Sequence, residues 1–495
     1  MPESLIQLLG YINFDFVLFC FLGSAAGLLI GALPGFSVTM ATALLVSLTY
    51  GWPAERAVAV MLGVYVSGVY AGAISAILIN IPGAPSSVAT SLDGYPMARK
   101  GQAARALWTA TFHSFVGSLV GFAVLACVAG YVTEIAINFA SIDYFLLALL
   151  GLSIVGSLTT RNIVKGWIAA AFGLLLSLVG QDPISGAQRL TFGEANLLDG
   201  IGIIPVMIGL FGFSEILEQV GQGNFSGVAS SALRGGRNIA EQLRMLGLSV
   251  RSALIGVGIG ALPGVGGPIA SLVAYSHARK TVKKPESPFG AGAPEGVAAS
   301  EAANNGCVGG ALIPMLTLAI PGDAVTAVML AGFHVHGLRP GPMLFTESPG
   351  LFQLVVCGGL LASVAMLVFG VTIVPFMSRI VLIPRKILLS VVAVICVLGS
   401  YAVNTSIFEV WIMFAAGVAG YVMKKRGYPI APVVLGLVLG KMMDASFRRA
   451  VNMALASDNF FSALLWRPST VCLCLLLAAY LFIRLYASMR GVKRI

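Results

Sequence analysis

The sequence predicts an all-α polytopic membrane protein, built as two inverted-topology repeats with Pro-Gly-broken helices or hairpins at the midplane. Three observations predict it. Hydrophobic residues make up 58% of the 495 and charged residues 10%, far too little charge to cover a soluble protein of this length. Apolar runs near bilayer-spanning length recur at 16–33, 57–80, 108–133, 142–160, 163–180, 351–377, 387–402, 407–423 and 463–486, which with the broken segments amounts to about 10–12 transmembrane helices. Third, the same helix-breaking motifs occur twice, half a protein apart.

The stretch before the first run, "MPESLIQLLGYINFD", holds no Lys or Arg. It lacks the basic start of a signal peptide, so the first helix is expected to be retained. Next come the breaks. "GALPGFSVTMATALL" at 31–45 matches "GALPGVGGPIASLVA" at 260–274, which sets Pro34 and Pro263 229 residues apart. "INIPGAPSS" at 79–87 matches "LAIPGDAVT" at 318–326, with Pro82 and Pro321 239 apart. Two weaker pairs keep the order: "VGSLTTRNIVKGWIAAAFG" at 155–173 with "LGSYAVNTSIFEVWIMFAAG" at 398–417, and "IPVMIGLFG" at 204–212 with "APVVLGLVLG" at 431–440. The chain therefore divides into a first membrane repeat, 1–245, a second, 246–460, and a C-terminal helix with a basic tail, 461–495.

Loop charge orients the repeats. Thirty Lys and Arg against twenty Asp and Glu leave a net charge of +10. Such an excess gathers in the cytoplasmic loops of membrane proteins. No basic stripe with interleaved aromatics points to nucleic acid. In the first half the basic residues fall at Arg99, Lys100 and Arg105, at Arg161 and Lys165, and at Arg234, Arg237, Arg244 and Arg251, while 134–143 and 181–199 hold only Arg189. In the second half the counterpart of 134–143 carries Arg379, Arg385 and Lys386, and the counterpart of Arg161 is the uncharged "YAVNTS". Matching loops of opposite charge bias indicate inversion. Arg448 and Arg449 dissent, because this scheme places them outside.

The breaks are the expected binding site. A Pro-Gly within a membrane helix frees backbone N–H and C=O groups that must be buried in protein or used by a ligand. Around Pro34-Gly35 stand Ser37 and Thr39, and after Pro82-Gly83 stand Ser86, Ser87 and Thr90. Pro263-Gly264 is followed by Gly266, Gly267 and Ser271, and Pro321-Gly322 by Asp323 and Thr326. Half-helix N-termini suit a carboxylate; unwound carbonyls and hydroxyls suit Na⁺. For any one hydroxyl, satisfying a freed backbone group is the plainer role. A stretch present only in the second half, 287–315, carries Glu295, Glu301, Asn304 and Asn305. Intramembrane carboxylates and amides are costly. Glu301 is a candidate ligand for a coupling ion or proton, or else a helix-edge carboxylate; Glu295 reads as a loop residue. Asp93-Gly94 reads as a turn. His334 and His336 lack a third metal ligand nearby, and the seven cysteines show no metal or disulfide pattern. Gly27/Gly31 and Gly117/Gly121 read as helix-packing pairs.

No Walker A loop is present, since Met442 follows Gly440-Lys441, and no nucleophile–base or zinc-hydrolase motif occurs. Two other classes remain open from the residues: a membrane-embedded enzyme, for which acids are sparse, and a channel without concentrative transport.

The blocks "GLLIGALPGFSVTMATALLVSLTYG", "IPGAPSSVATSLDGYPMARKGQAARAL", "GALPGVGGPIAS", "SPFGAGAPEGVAASEAANN" and "AIPGDAVTAVMLAGFHVHGLRPGPMLF" resemble the large membrane subunit of tripartite tricarboxylate transporters, the TctA family. The resemblance covers nearly the whole chain, the last helix least. It implies a bacterial inner-membrane importer of tricarboxylates, dicarboxylates or related anions. Its partners would be a smaller four-helix membrane subunit and a periplasmic solute-binding protein. Uptake would run by symport on an ion gradient, usually Na⁺ rather than H⁺, with no other cofactor. It also suggests an elevator-like movement, with 16–107 and 252–345 moving against a scaffold of 108–220 and 350–445.

Overall fold

The computed structural model describes residues 13–33, 36–158, 163–182, 185–220, 238–347, 349–372, 385–457, 459–460 and 467–489. It is helical nearly throughout. In chain order come α1 (Phe14–Ala32), α2 (Val38–Leu48), α3 (Ala54–Ile79), a single 3₁₀ turn at Pro85–Ser87, α4 (Val88–Arg99), α5 (Ala103–Ala136), α6 (Ser141–Leu158) and α7 (Ile163–Ser177). A two-stranded hairpin, β1 (Gly180–Gln181) against β2 (Gln188–Arg189), precedes α8 (Ile203–Met207), a π-wound segment at Ile208–Phe213, and α9 (Ser214–Gln219). Then follow α10 (Ile239–Arg244), α11 (Leu246–Gly260), α12 (Gly266–Thr281), α13 (Pro294–Leu318) and α14 (Ala324–Val335). The chain continues with α15 (Leu344–Glu347), α16 (Pro349–Thr372), α17 (Arg385–Asn404), α18 (Ile407–Lys425), α19 (Ala431–Leu455) and α20 (Pro468–Met489). Among the described residues, five helices are long and apolar enough to cross a membrane: Phe14–Ala32, Ala54–Ile79, Ala103–Ala136, Gly350–Thr372 and Ile407–Lys425. This is a multi-pass membrane protein.

The helices flanking the breaks are short for a physical reason. α2 has 11 residues and α4 and α14 have 12 each. At about 1.5 Å per residue these cover roughly half of a 30 Å hydrocarbon layer. The helices before Pro82 and Pro321 stop at Ile79 and Leu318, and an α-helix restarts only at Val88 and Ala324. Ser37 opens α2 as its N-cap, its Oγ accepting from Met40 N at 3.1 Å.

The chain forms two compact units, residues 1–131 with 202–422, and residues 132–201 with 423–495. Each draws on both predicted repeats, so the units and the repeats are different divisions of the chain.

In the first unit the paired breaks are packed alike. α1 lies against α3 through Gly23, Gly27 and Gly31; a Cβ at Gly27 would strike the backbone of Val64, and one at Gly31 the backbone of Gly68. α11 lies against α13 in the same way: Gly256 meets the backbone of Ala303 and Gly260 that of Cys307. The glycines match at the offset of Pro34 and Pro263, and their partners at the offset of Pro82 and Pro321. The second break pair follows suit. Gly83 sits on Gly31 O and Gly72 Cα, and Gly322 on Gly260 O and Ala311 Cα. Both long helices also end identically, at a left-handed residue two positions before the proline: Asn80 at φ 57° and Ala319 at φ 56°. A left-handed residue with a Cβ costs about 1–2 kcal/mol, so the bend is held by packing. The weaker sequence pairs exchange partners between halves: in the first unit Gly209 packs on α18 beside Gly417, and in the second Gly436 packs on α7 beside Gly173.

The second unit contains α6, α7, the hairpin, α19 and α20. Asp143, at the start of α6, accepts from Ser469 Oγ at 2.8 Å and Thr470 Oγ1 at 2.5 Å, which fastens the last helix. Arg448 pairs with Asp182 at 2.5 Å and Asp444 at 3.1 Å, and Arg189 pairs with the same two acids at 2.5 and 3.0 Å. Arg448, which dissented from the loop-charge scheme, is thus neutralised within a four-residue network and is no free topological charge. Arg449 donates to Ala445 O at 3.3 Å.

Candidate functional site

The residues around the breaks converge at two places in the first unit. The first lies where the second-half breaks meet each other and the first-half break. Gly264 at φ +75° donates its N–H to Gly322 O at 2.6 Å, which ties the two second-half breaks together. Gly266, at φ +63°, opens α12, and a Cβ there would stand 3.2 Å from Asp323 Cβ. Next to it, a Cβ at Gly267 would stand 2.6 Å from Asn304 Oδ1 and 3.1 Å from Ser86 Cβ. Only glycine allows the N-terminus of α12 to come this close to all three. Ser271, one turn on, donates to Ser86 O at 2.7 Å.

Asp323 caps α14. Its Oδ1 accepts from Thr326 N at 2.8 Å, and Thr326 Oγ1 accepts from Asp323 N at 2.9 Å. Its Oδ2 accepts from Tyr65 OH at 2.6 Å, across 258 residues of sequence. All of these donors are neutral. Tyr65, 1% exposed, escaped the sequence reading. A signal existed: it stands at the repeat counterpart of Asn304, 239 residues earlier. Asn304 donates to Val69 O at 3.3 Å, while its Oδ1 has no partner among the described residues. Ser87 Oγ is likewise buried without a partner among them.

The second place is a buried carboxylate. Glu301 is 0% exposed in the middle of α13. Thr90 Oγ1 of α4 donates to its Oε1, and Ser114 Oγ of α5 donates to its Oε2 at 2.9 Å. Ser300 Oγ lies 3.1 Å from Thr90 Oγ1. The alternative of a helix-edge carboxylate does not fit this burial. Asn305 lies deeper on the same helix and donates to Val66 O at 3.3 Å and Ser118 Oγ at 3.0 Å.

Other expected residues are placed elsewhere. Pro34 and Gly35 lie outside the described residues. Ser37 serves α2 itself, and Thr39 is buried in its first turn. Pro82, Gly83, Pro263 and Pro321 shape the bends rather than offer side-chain ligands. Glu295, in the first turn of α13, accepts from Glu286 N at 3.1 Å.

Asp93 overturns the turn reading. It lies within α4, fully buried, and its Oδ1 accepts three backbone N–H groups, Gly290 and Gly292 at 2.8 Å and Ala293 at 2.9 Å. Its Oδ2 accepts from Tyr275 OH at 2.9 Å. The Asp-Gly pair signals a turn only where the backbone is free to make one. Here Gly94 lets α4 lie against Ile77, and Asp93 anchors the loop before α13. Beside it Arg105 bridges Glu241 at 2.7 Å and Glu286 at 2.5 Å. The guanidinium holds the Glu286 carboxyl below its ordinary value.

Broken helices meeting at polar, partly unpartnered side chains inside a multi-pass helical protein are the arrangement expected of a membrane transport protein. The comparison with known families makes the class specific. Residues 17–435 match the tripartite tricarboxylate transporter TctA family, and the chain belongs to it. It is therefore a subunit of a tripartite transporter, a system with partner subunits, and the family is one of transporters rather than enzymes. The chain is 34% identical over 436 residues, 88% of its own length and 87% of the relative's, to an uncharacterised 52.8 kDa protein of the TAR-I ttuC′ 3′ region of Agrobacterium vitis. A second uncharacterised protein, from the TAR-II ttuC′ 3′ region of the same organism, is 32% identical over 203 residues, covering 41% of this chain and 84% of the relative. No solved structure matches the chain.

Proposed function

We propose that this chain is the large subunit of a binding-protein-dependent secondary transporter of the bacterial inner membrane, importing tricarboxylates or dicarboxylates with Na⁺ as the principal coupling ion. The observation that carries the reading is the meeting at Gly266-Gly267 of a helix N-terminus, an uncapped amide oxygen and a carboxylate contacted only by neutral donors. The α12 N-terminus offers backbone N–H groups and a partial positive charge to a substrate carboxylate. Asp323 and Asn304 Oδ1 offer hard oxygens to Na⁺, as unwound segments do in ion-coupled carriers. In this reading the two repeats have inverted topology, and 16–107 with 252–345 move as an elevator against 108–220 with 350–445. A smaller four-helix membrane subunit and a periplasmic binding protein complete the system.

The test is uptake of labelled citrate and other tri- and dicarboxylates into proteoliposomes holding this chain and its small subunit, with the binding protein outside and an imposed Na⁺ gradient. Na⁺-dependent accumulation that is lost in Gly267→Val supports the reading. Accumulation that survives this change removes the site from the breaks. Single cysteines test the inversion: positions 138 and 404 are expected to label from outside, and 163 and 383 from inside. Labelling of 138 and 383 from one side would sink it.

A further inference from the structure

We propose that Glu301 is a proton-carrying residue at the sliding face between α13 and α5, neutral while α13 moves past α5 and ionised when Thr90 and Ser114 both donate to it. This rests on the carrier reading above and adds a proton to its coupling.

The argument begins with the cost of the charge. Glu301 is wholly buried, and no cationic side chain bonds to it among the described residues. An ionised carboxylate there is tolerable only while each oxygen holds a donor. Its two donors come from different elements. Thr90 is on α4, within the segment expected to move with α13. Ser114 is on α5, beyond residue 108 and so within the expected scaffold. Displacing α13 along α5 takes Ser114 away and leaves Oε2 facing whatever α5 presents next.

The next hydroxyl along α5, Ser118, is taken by Asn305, and beyond it the face is smooth and apolar. Gly117 packs on the backbone of Ala302, and Gly121 meets Gly306 and Gly309 of α13. These contacts let the two helices lie backbone to backbone, and they offer no acceptor-matching donor. A neutral carboxylic acid crosses this face at far less cost than a carboxylate. The first half needs no such switch, since Leu62 of α3 stands at the counterpart position, 239 residues earlier.

The oxygens around the carboxylate are linked to one another, Ser114 to Glu301 at 2.9 Å and Thr90 to Ser300 at 3.1 Å. The titratable groups on the packed elements are otherwise engaged. Tyr70 of α3 bonds Thr111, and Asp93 of α4 bonds Tyr275 of α12 and the 290–293 backbone. His113 of α5 is held between Gln242 and Ser249, and on α13 itself Glu295 caps the loop at Glu286. Asp323 of α14 pairs with Tyr65, and Cys307 lies on the α11 side of α13. The step is a proton transfer alone: one proton from hydronium adds to a carboxylate oxygen, leaving water, and is later returned.

Two measurements test this on the full chain in lipid. The first is infrared difference spectroscopy over a pH series. A buried carboxylic-acid C=O band is expected, absent in Glu301→Gln and shifted in Glu301→Asp, with the melting temperature of each variant confirming the fold. Identical spectra for wild type and Glu301→Gln would overturn the proposal. The second is uptake of tri- and dicarboxylates, citrate first, by the complete system under a pH gradient with equal Na⁺ on both sides. Wild type is expected to gain about tenfold accumulation per pH unit for one proton. Glu301→Gln is expected to lose that gain while retaining substrate counterflow. Wild-type accumulation in Glu301→Gln also overturns it. Absence of counterflow in wild type would instead fell the carrier reading, and with it the link between proton and movement.

Discussion

The first-half break region, α1 to α4, and the second-half one, α11 to α14, share their backbone packing and differ in their chemistry. Gly27 and Gly31 press on Val64 and Gly68 as Gly256 and Gly260 press on Ala303 and Cys307. The left-handed ends at Asn80 and Ala319 agree within one degree. Yet Leu62 stands where the second half has Glu301, Tyr65 where it has Asn304, and Ala84 where it has Asp323. Helix-on-helix contact through small residues is unforgiving, so both copies keep it. Polar side chains carried on that frame can diverge without disturbing it. The difference teaches that the two halves supply one geometry and two kinds of ligand, with Glu301 and Asp323 supplied by the second alone.

The strongest way to break the comparison is steric. Gly27→Leu and Gly256→Leu each drive a side chain into backbone rather than into a movable side chain. Overpacking typically costs about 1–3 kcal/mol, and both variants are expected at or above the upper end. Melting temperature and the yield of monodisperse protein would read this out, and tolerance of one but not the other would end the claim of equal packing.

Next in size is Asp93→Ala, which strips three N–H groups and a tyrosine hydroxyl of their acceptor in a loop the first half does not have. The expected loss is about 2–3 kcal/mol, because exposed Gly290 can turn to water. Hydrogen exchange should rise at 287–293 and stay unchanged at 79–87; equal protection in both would contradict the anchor.

Moving the acid between halves sharpens the chemical contrast. Asp323→Ala removes an N-cap worth about 1 kcal/mol and the acceptor of the buried Tyr65 hydroxyl, and is expected to abolish Na⁺-driven uptake. Ala84→Asp, which gives the first break the second's acid, is expected to weaken carboxylate binding by charge repulsion. Uptake by Asp323→Ala at the wild-type rate would remove the carboxylate from the site.

The smallest effect lies at Arg105. Glu286 has its carboxyl lowered by this guanidinium, so the pair contributes above the unfolded-state value of 4.5 and the contribution fades as pH falls through the lower folded value. Glu286 is half exposed, which limits the pair to about 0.5 kcal/mol. Comparing acid melts of wild type and Glu286→Gln would show their midpoints converging below that pH.

Much of the fold was legible because its signals are local. An apolar run of spanning length and a Pro-Gly within it act on neighbouring residues, so α13 ends at Leu318 and α14 restarts at Ala324 on either side of the expected break at Pro321. The duplication was legible because two local signals recur in order. Tyr65 was not, since a tyrosine inside an apolar run looks like core until its hydroxyl finds Asp323. Asp93-Gly94 misled, because turn chemistry was overridden by three backbone donors arriving from 197 to 200 residues away.

By itself, then, the sequence determined a helical membrane protein, where its helices break, and which breaks correspond. Tertiary structure decided which break residues meet: Gly267 with Asn304 and Ser86, Tyr65 with Asp323, Glu301 with Thr90 and Ser114. The physical reason is range. Helix breaking is set by the torsions of a few adjacent residues, whereas a hydrogen bond between residues hundreds of positions apart exists only after the helices bearing them have packed.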